Sequence, residues 1–287
     1  MPPAWTIRSL LTWMTQDFAA VGIGTARLDA ELLIAHSLKC DRVRLYMDLD
    51  RPLGPEELAA VKALVVRRRK REPVAYILGQ REFYRRAFSV NPAVLIPRPD
   101  TETLVERALE LIPVDAEARV LDLCTGSGAI AVTLAAERAR LHVDATDLSH
   151  EALAVARQNA AQHGVEGRMA FFHGDLFEAL PEPARYALIT ANPPYVPSLD
   201  APTLAPEIRA HEPALALFAG EDGLSVIDRL CANAGAWLEP RGTLLFEIGA
   251  GQAESVLARL GAVAELTGAR AHRDLGGVLR VIEAQRA

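Results

Sequence analysis

The chain has 287 residues, half of them hydrophobic and 24% charged, with a net charge of −6 and a sequence pI near 5.7. That is the balance of an ordinary soluble globular protein with length for one large domain or two, and its acidity argues against broad, sequence-independent binding to nucleic acid. Three widely separated cysteines, Cys40, Cys124 and Cys231, argue against a disulfide framework or a CxxC metal site and favour a reducing cytoplasm. No apolar run approaches the length of a membrane span, and the start "MPPAWTIRSLL" lacks a basic stretch ahead of an apolar core.

Residues 5–72 read as helical. "WTIRSLLTWMTQDFAAVG" puts Leu10, Leu11, Met14 and Phe18 on one stripe and stops at Gly22, and "RLDAELLIAHSLK" suggests a second stripe of Leu28, Leu32, Ala35 and Leu38. "GPEELAAVKALVVRRRKRE" opens with proline and early acids and closes on the basic run Arg67 to Arg71, which reads as a solvated helix end complementing its dipole rather than as an RNA contact. From 83 to 97 the pattern alternates, predicting two short strands around Asn91-Pro92.

From Asp100 onward helices alternate with apolar strands at 119–124, 142–147, 169–175, 186–192 and 242–249. This is the pattern of a parallel sheet with crossovers on both faces. Two further strands, about 263–271 and 278–285, have only "HRDLGG" between them and must pair as an antiparallel hairpin at the sheet edge. The sum is an α/β, doubly wound, seven-stranded Rossmann-like sheet of the methyltransferase variety, preceded by a small helical domain. The expected division is a helical domain over 1–80, a hairpin linker over 81–99 and the sheet domain over 100–287.

The first sheet strand runs into "LDLCTGSGAIAVTLAAE". Gly126 and Gly128 permit a tight turn, a helix from near Ser127 aims its N-terminus at whatever binds, and Asp147 ends the next strand where a carboxylate can accept ribose hydroxyls. "GSGAIA" with that acid fits a dinucleotide site as well as another nucleoside site. What separates them is "TANPPYVP" after the strand "YALI". No Tyr-x-x-x-Lys pair or histidine stands at a strand end to serve hydride transfer. Asn192 offers a side-chain carbonyl, and the Pro193-Pro194 corner offers main-chain carbonyls on a stiff frame. Two such acceptors grip the two hydrogens of a planar NH2 group and reject hydroxyls and carboxylates. Holding a partly pyramidal nitrogen, they localise its lone pair and stabilise positive charge as it develops. The ring of Tyr195 is placed to cover a flat amide or base.

"NPPY", with "PVAYILGQREFY" (73–84), "VLIPRPDTETLVE" (94–106), "DLCTGSGAIA" (122–131), "HEPALALFAGEDGL" (211–224), "LFEIGAGQ" (245–252) and "RDLGGVLRV" (273–281), resembles the family of peptide chain release factor N5-glutamine methyltransferases, PrmC or HemK. The resemblance covers the chain from Pro73 onward. It implies S-adenosyl-L-methionine as cofactor and the glutamine of a release factor's Gly-Gly-Gln tip as substrate, in a cytoplasmic monomer that touches neither nucleic acid nor membrane. By the same resemblance Cys124, Thr125, Gly126, Ser127 and Gly128 line the cofactor loop, Asp147 with Leu148 holds the ribose, and Asp175-Leu176 borders adenine. Asn192, Pro193, Pro194 and Tyr195 take the reactive end of the cofactor and the glutamine, and the "IPRPDTE" segment (96–102) walls the substrate pocket, with Pro97 and Arg98 nearby. Two positions depart from the family: Cys124 stands where glycine is frequent, and Leu176 where a bulky aromatic is common. The nearest rival is the sister family that methylates a glutamine of ribosomal protein L3, and "IPRPDTE" and "RDLGG" favour the release-factor enzymes.

Elsewhere the signals are thinner. His36, His142, His163, His173, His211 and His272 show no metal-ligand spacing. Cys124 reads as a small side chain in a turn rather than a nucleophile. Glu247 ends a strand beside the crevice, where it either orients the site or caps the following loop. A nucleic-acid amino methyltransferase would need a target-recognition region and a basic groove, and a cofactor-binding protein without catalysis would not need "NPPY".

Overall fold

Helix α1 (Ile7–Ala20) starts on a reciprocal cap, in which the Thr6 hydroxyl accepts from the Ser9 amide and the Ser9 hydroxyl accepts from the Thr6 amide. It buries the expected stripe of Leu10, Leu11, Met14 and Phe18 together with Ile7. The computed structural model describes residues 5–181 and 184–287; residues 1–4, the beginning of the N-terminal stretch read above, and 182–183 lie outside the described residues. The chain divides into two units, one running to Gly79 and including Ala205–His211, the other Gln80–Leu204 with Glu212–Ala287.

In the first unit, helix α2 (Ala26–Ser37) bears out only part of the expected stripe, with Ala35 buried and Leu38 packed against the core but Leu28 turned out. Leu28 is 41% exposed, whereas Asp29, Ala30, Glu31, Leu33 and Ile34 are buried. The acids are inside because each meets guanidinium groups: Arg68 donates to Asp29 at 2.8 Å, and Arg27 and Arg42 both donate to Glu31. A buried carboxylate is costly unless so paired. Helices α3 (Arg42–Met47), α4 (Pro55–Arg69) and α5 (Val74–Leu78) complete the chain-initial part. The basic run at the end of α4 is therefore more than a solvated helix end. Arg68 is buried between Asp29 and Glu207, Arg71 also reaches Glu207 at 2.9 Å, and Arg67 pairs with Glu72. The run holds the short helix Pro206–His211, which the chain contributes from far downstream.

The second unit opens with β1 (Gln80–Phe83) and β2 (Arg86–Ser89), an antiparallel hairpin that turns at Tyr84-Arg85. The expected turn at Asn91-Pro92 is a separate bend that follows β2. Both turn residues have positive φ, 47° and 59°, the backbone that matches strand twist in a two-residue hairpin. Because neither is glycine or asparagine, the usual signal was missing. Phe83 and Phe88 bury one face of the hairpin, edge to face at 6.0 Å.

Helix α6 (Glu102–Leu111) precedes the sheet, whose strands are β3 (Arg119–Leu123), β4 (His142–Asp147), β5 (Met169–His173), β6 (Tyr186–Ala191), β7 (Leu238–Glu247), β8 (Leu266–Arg273) and β9 (Leu279–Arg286). Between them lie α7 (Ala129–Glu137), α8 (His150–Gln162), α9 (the Pro206–His211 helix), α10 (Ser225–Trp237) and α11 (Ala253–Leu260). The order is β5-β4-β3-β6-β7-β9-β8. Strands β3 to β7 are parallel, and β9 runs antiparallel between β7 and the edge strand β8, as expected for the terminal pair. Consecutive residues such as Leu244 and Leu245, or Val281 and Ile282, fall into different apolar clusters, so both faces of the sheet are covered. Chain order reverses beside β3, and the crevice at the carboxyl ends of β3, β4 and β6 is where ligands of open α/β sheets bind. Among the described residues no helix is long and apolar enough to cross a membrane.

Candidate active site

A cavity of about 440 Å³ opens at that crevice, entirely within the second unit. One end is built by the loop after β3. The Thr125 amide donates to the Thr146 carbonyl, tying the loop to β4, and Gly128 caps α7 at φ 79°. A Cβ on Gly128 would lie 3.2 Å from both the Ala156 Cβ and the Val132 Cγ2, so glycine lets α8 approach. The Asp147 carboxylate receives one backbone N–H at each oxygen: Gly126 donates to Oδ2 at 2.8 Å and Ser149 to Oδ1 at 2.9 Å. Each oxygen keeps a lone pair for a ligand hydroxyl. Burial pushes this carboxyl above the usual carboxylate range, against the pull of those two amides.

Beneath the loop Asp122 is fully buried, taking the hydroxyls of Thr125 at 2.6 Å and Thr190 at 2.7 Å. Burial raises its pKa to about 6, so the acid fixes the loop from below while disfavouring its own charge. Thr146, also buried, is among the residues around the cavity, while its hydroxyl oxygen is itself shut away from solvent and has no hydrogen-bond partner among the described residues.

The other end is built by the loop after β6. The Asn192 Nδ2 donates to the Thr101 hydroxyl at 3.2 Å, and that hydroxyl donates to Glu247 Oε2 at 2.6 Å. The Tyr195 hydroxyl donates to Glu247 Oε1 at 3.0 Å. Glu247 is 1% exposed; burial raises its pKa, opposed by the hydroxyls of Thr101 and Tyr195. Tyr195 is pushed well above the ordinary phenol, first by burial and then by the Glu247 charge, and so stays a hydrogen-bond donor. The loop backbone is clamped as well. Gln252 Nε2 donates to the Tyr195 carbonyl at 2.9 Å, and Val196 bridges Phe218. Gly223, at φ 75°, leaves room where a Cβ would run into the Tyr195 carbonyl.

Of the residues singled out from sequence, Pro97, Arg98, Cys124, Thr125, Gly126, Ser127, Asp147, Leu148, Asp175, Leu176, Asn192 and Pro194 line this one cavity. Gly128, Pro193 and Tyr195 do not. Gly128 acts behind the wall through its turn, Pro193 is buried, and the Tyr195 hydroxyl is spent on Glu247. The expectation that the Tyr195 ring covers a flat substrate therefore finds no support in its position. Cys124 and Leu176, the two departures from the family, have left-handed backbones with φ 56° and 48°. Glycine at the first position is thus explained by backbone freedom, and cysteine there carries strain. Burial, with Asp147, Asp122 and Asp175 nearby, lifts the Cys124 thiol well above its ordinary value, which disfavours a thiolate nucleophile.

Sequence reasoning missed Asp122, Thr146, Glu212 and Arg229, and had Thr101 only as part of the pocket-wall segment. Glu212 is buried, pairs with Arg98 and accepts from the Ile96 amide, while Arg229 pairs with Asp175 at 2.6 Å. Thr101 and Glu212 lie inside the quoted segments "IPRPDTE" and "HEPALALF", but no spacing rule joins them to their partners.

Two family models match the chain: the PrmC N-terminal domain over residues 9–79 and the methyltransferase small domain over residues 101–211. The chain is 47% identical over 256 residues to a release factor glutamine methyltransferase of Geobacter sulfurreducens, covering 89% of this chain and 88% of that protein. It is 46% identical over 267 residues to a protein of the same name from Cereibacter sphaeroides, covering 93% and 94%. Among solved structures it resembles a methyltransferase from Pyrococcus furiosus, with a TM-score of 0.52, 15% identity and coverage of 69% of this chain and 87% of that one. That likeness establishes the fold.

Proposed function

The chain belongs to the family of release factor glutamine methyltransferases, and on that premise we propose that it transfers a methyl group from S-adenosyl-L-methionine to the side-chain amide nitrogen (N5) of the glutamine in the Gly-Gly-Gln motif of bacterial peptide chain release factors. The observation that supports this most is the orientation of Asn192. With Nδ2 given to Thr101, its Oδ1 remains an acceptor at the cavity wall. A glutamine side chain presents an NH2 with two hydrogens. Oδ1 takes one and a carbonyl of the Pro193-Pro194 corner takes the other. An amide nitrogen is a poor nucleophile because its lone pair is shared with its carbonyl. Two fixed acceptors favour the pyramidal form, and they meet the charge that builds on nitrogen without reorganising.

The cavity fits the cofactor. Asp147 offers one free lone pair on each oxygen to the ribose hydroxyls, and the Cys124 to Gly128 loop permits close approach. Asp175 and the apolar Leu176 border the base. When bound, S-adenosylmethionine supplies a methyl already activated on a sulfonium. The protein's remaining task is positioning.

Glutamine is common in proteins, so selectivity has to come from surface beyond the pocket. We assign that role to the first unit, which would hold the body of the factor while its tip enters the cavity. The site of action is read as the cytoplasm, with a protein as partner. Offering labelled S-adenosylmethionine with release factors, ribosomal proteins and adenine-containing oligonucleotides separates the readings: label should enter the release factor, and label in ribosomal protein or nucleic acid instead would overturn the assignment. A chain beginning at Arg81 should bind the cofactor normally yet methylate intact factor with a raised KM. Since this deletion removes Arg68 and Arg71 from Glu207, Glu207→Gln in the shortened chain controls for the orphaned carboxylate.

A further inference from the structure

The amide of Asn192 has two faces of similar shape, a carbonyl and an NH2, and only the carbonyl can receive a hydrogen from glutamine. Turned over, the same side chain would present donors to a donor. Something has to choose between the two orientations, and the choice starts behind the cavity wall, at the carboxylate that Thr101 reaches. Glu247 lies behind the wall and is 1% exposed. When Glu247 is ionised, the form that the two hydroxyls favour against the effect of burial, it accepts and does not donate. Both hydroxyls that reach it, from Thr101 at 2.6 Å and Tyr195 at 3.0 Å, must therefore spend their hydrogens on it. Once the Thr101 hydrogen points to Glu247, its oxygen faces Asn192 with lone pairs only. It then selects Nδ2, at 3.2 Å, and turns Oδ1 the other way.

We infer that Glu247 and Thr101 are positioning residues which, by this one-directional chain of hydrogen bonds, set the Asn192 amide in its acceptor-out orientation toward the glutamine NH2. This rests on the reading that Asn192 receives the substrate amide. Tyr195 has the complementary part: its hydroxyl occupies the second oxygen of Glu247, and Gln252 holds its carbonyl, so the loop carrying Asn192 is fixed to the same carboxylate. Neither Glu247 nor Tyr195 lines the cavity, and neither touches substrate in this account.

Thr101→Val keeps the shape and removes the hydroxyl. It is expected to slow single-turnover transfer to release factor by roughly tenfold or more, the scale of one lost hydrogen bond in a buried site, with cofactor affinity within about twofold. Thr101→Ser restores the hydroxyl and should recover most of the rate, which simple loss of packing would not predict. In an Asn192→Ala background Thr101→Val should slow transfer no further, since its effect runs through the missing side chain. If Thr101→Val does not fold, Glu247→Gln takes its place: the new NH2 lets the chain run in either direction, and transfer should again slow without loss of cofactor binding. Slow Asn192→Ala combined with wild-type rates for Thr101→Val and Glu247→Gln would overturn this inference and leave the assignment of Asn192 standing. A fully active Asn192→Ala would overturn that assignment and the inference with it.

Discussion

At one end of the cavity a carboxylate is held by main-chain amides, and at the other an amide is held by side chains. Asp147 takes its two hydrogen bonds from Gly126 and Ser149, 21 and 2 positions away, and both donors are backbone. Asn192 depends on a hydroxyl 91 positions away, and that hydroxyl on a carboxylate 146 positions from it. Backbone donors persist through almost any side-chain substitution that leaves the loop folded. A chain of side chains fails at whichever link is changed. The cofactor end should therefore be tolerant except at Asp147 itself, and the amide end brittle at several positions.

The sharpest way to break this contrast is Asn192→Ala. Losing one preorganised contact to a developing charge commonly costs about 100-fold or more in rate. Cofactor affinity by calorimetry should stay within about threefold, and equal losses in both would erase the distinction between the two ends. Asp147→Ala should do the reverse. It removes a charged acceptor from the ribose, weakening S-adenosylmethionine binding by about 1.5–3 kcal/mol while the rate at saturating cofactor changes little. Unchanged affinity would remove Asp147 from the site.

Asp122 sharpens the comparison through pH. Its carboxyl is raised to about 6 in the folded chain, so the stability it contributes is whole below about pH 4 and is lost as pH rises through 6. Asp122→Asn lacks this titration. The unfolding free energy of the wild type relative to that variant should accordingly fall by about 1–3 kcal/mol between pH 4 and pH 7 in urea titrations. A constant difference across the range would mean that Asp122 does not titrate there. The smallest effect is expected at Cys124→Gly, where relief of the left-handed backbone and the added freedom of the unfolded chain nearly offset each other. A gain below about 1 kcal/mol should result, and a clear loss in thermal unfolding would show that the side chain contributes more by packing than the backbone costs.

The sheet could be read from the sequence because its strands are short apolar runs set between helices, and the loop at Gly126 and Gly128 because turn, helix start and acid follow within one βαβ unit. Features that depend on distant partners could not be read. The stripe read on α2 was only partly right, since the acids it also buries are decided by Arg27, Arg42 and Arg68. The basic run of α4 looked solvated because Glu207 comes from another part of the chain. The hairpin turn was misplaced because Tyr84 and Arg85 adopt positive φ without glycine. At the site, "NPPY" announced Asn192 but not its support: Glu247 could be placed beside the crevice from its strand end, but its link through Thr101 to Asn192 exists only once the fold sets them side by side. Tyr195 was read as a ring over the substrate, and what the sequence did not reveal is that its hydroxyl is held by Glu247.

The most direct test is to react the full-length enzyme with isotopically labelled S-adenosylmethionine and intact release factor, and to locate the label by tandem mass spectrometry. The geometry of Asn192 predicts one added methyl, on the side-chain nitrogen of the Gly-Gly-Gln glutamine, and almost none when Asn192→Ala replaces the wild-type enzyme. Label on any other residue, or equal labelling by the two enzymes, would contradict it.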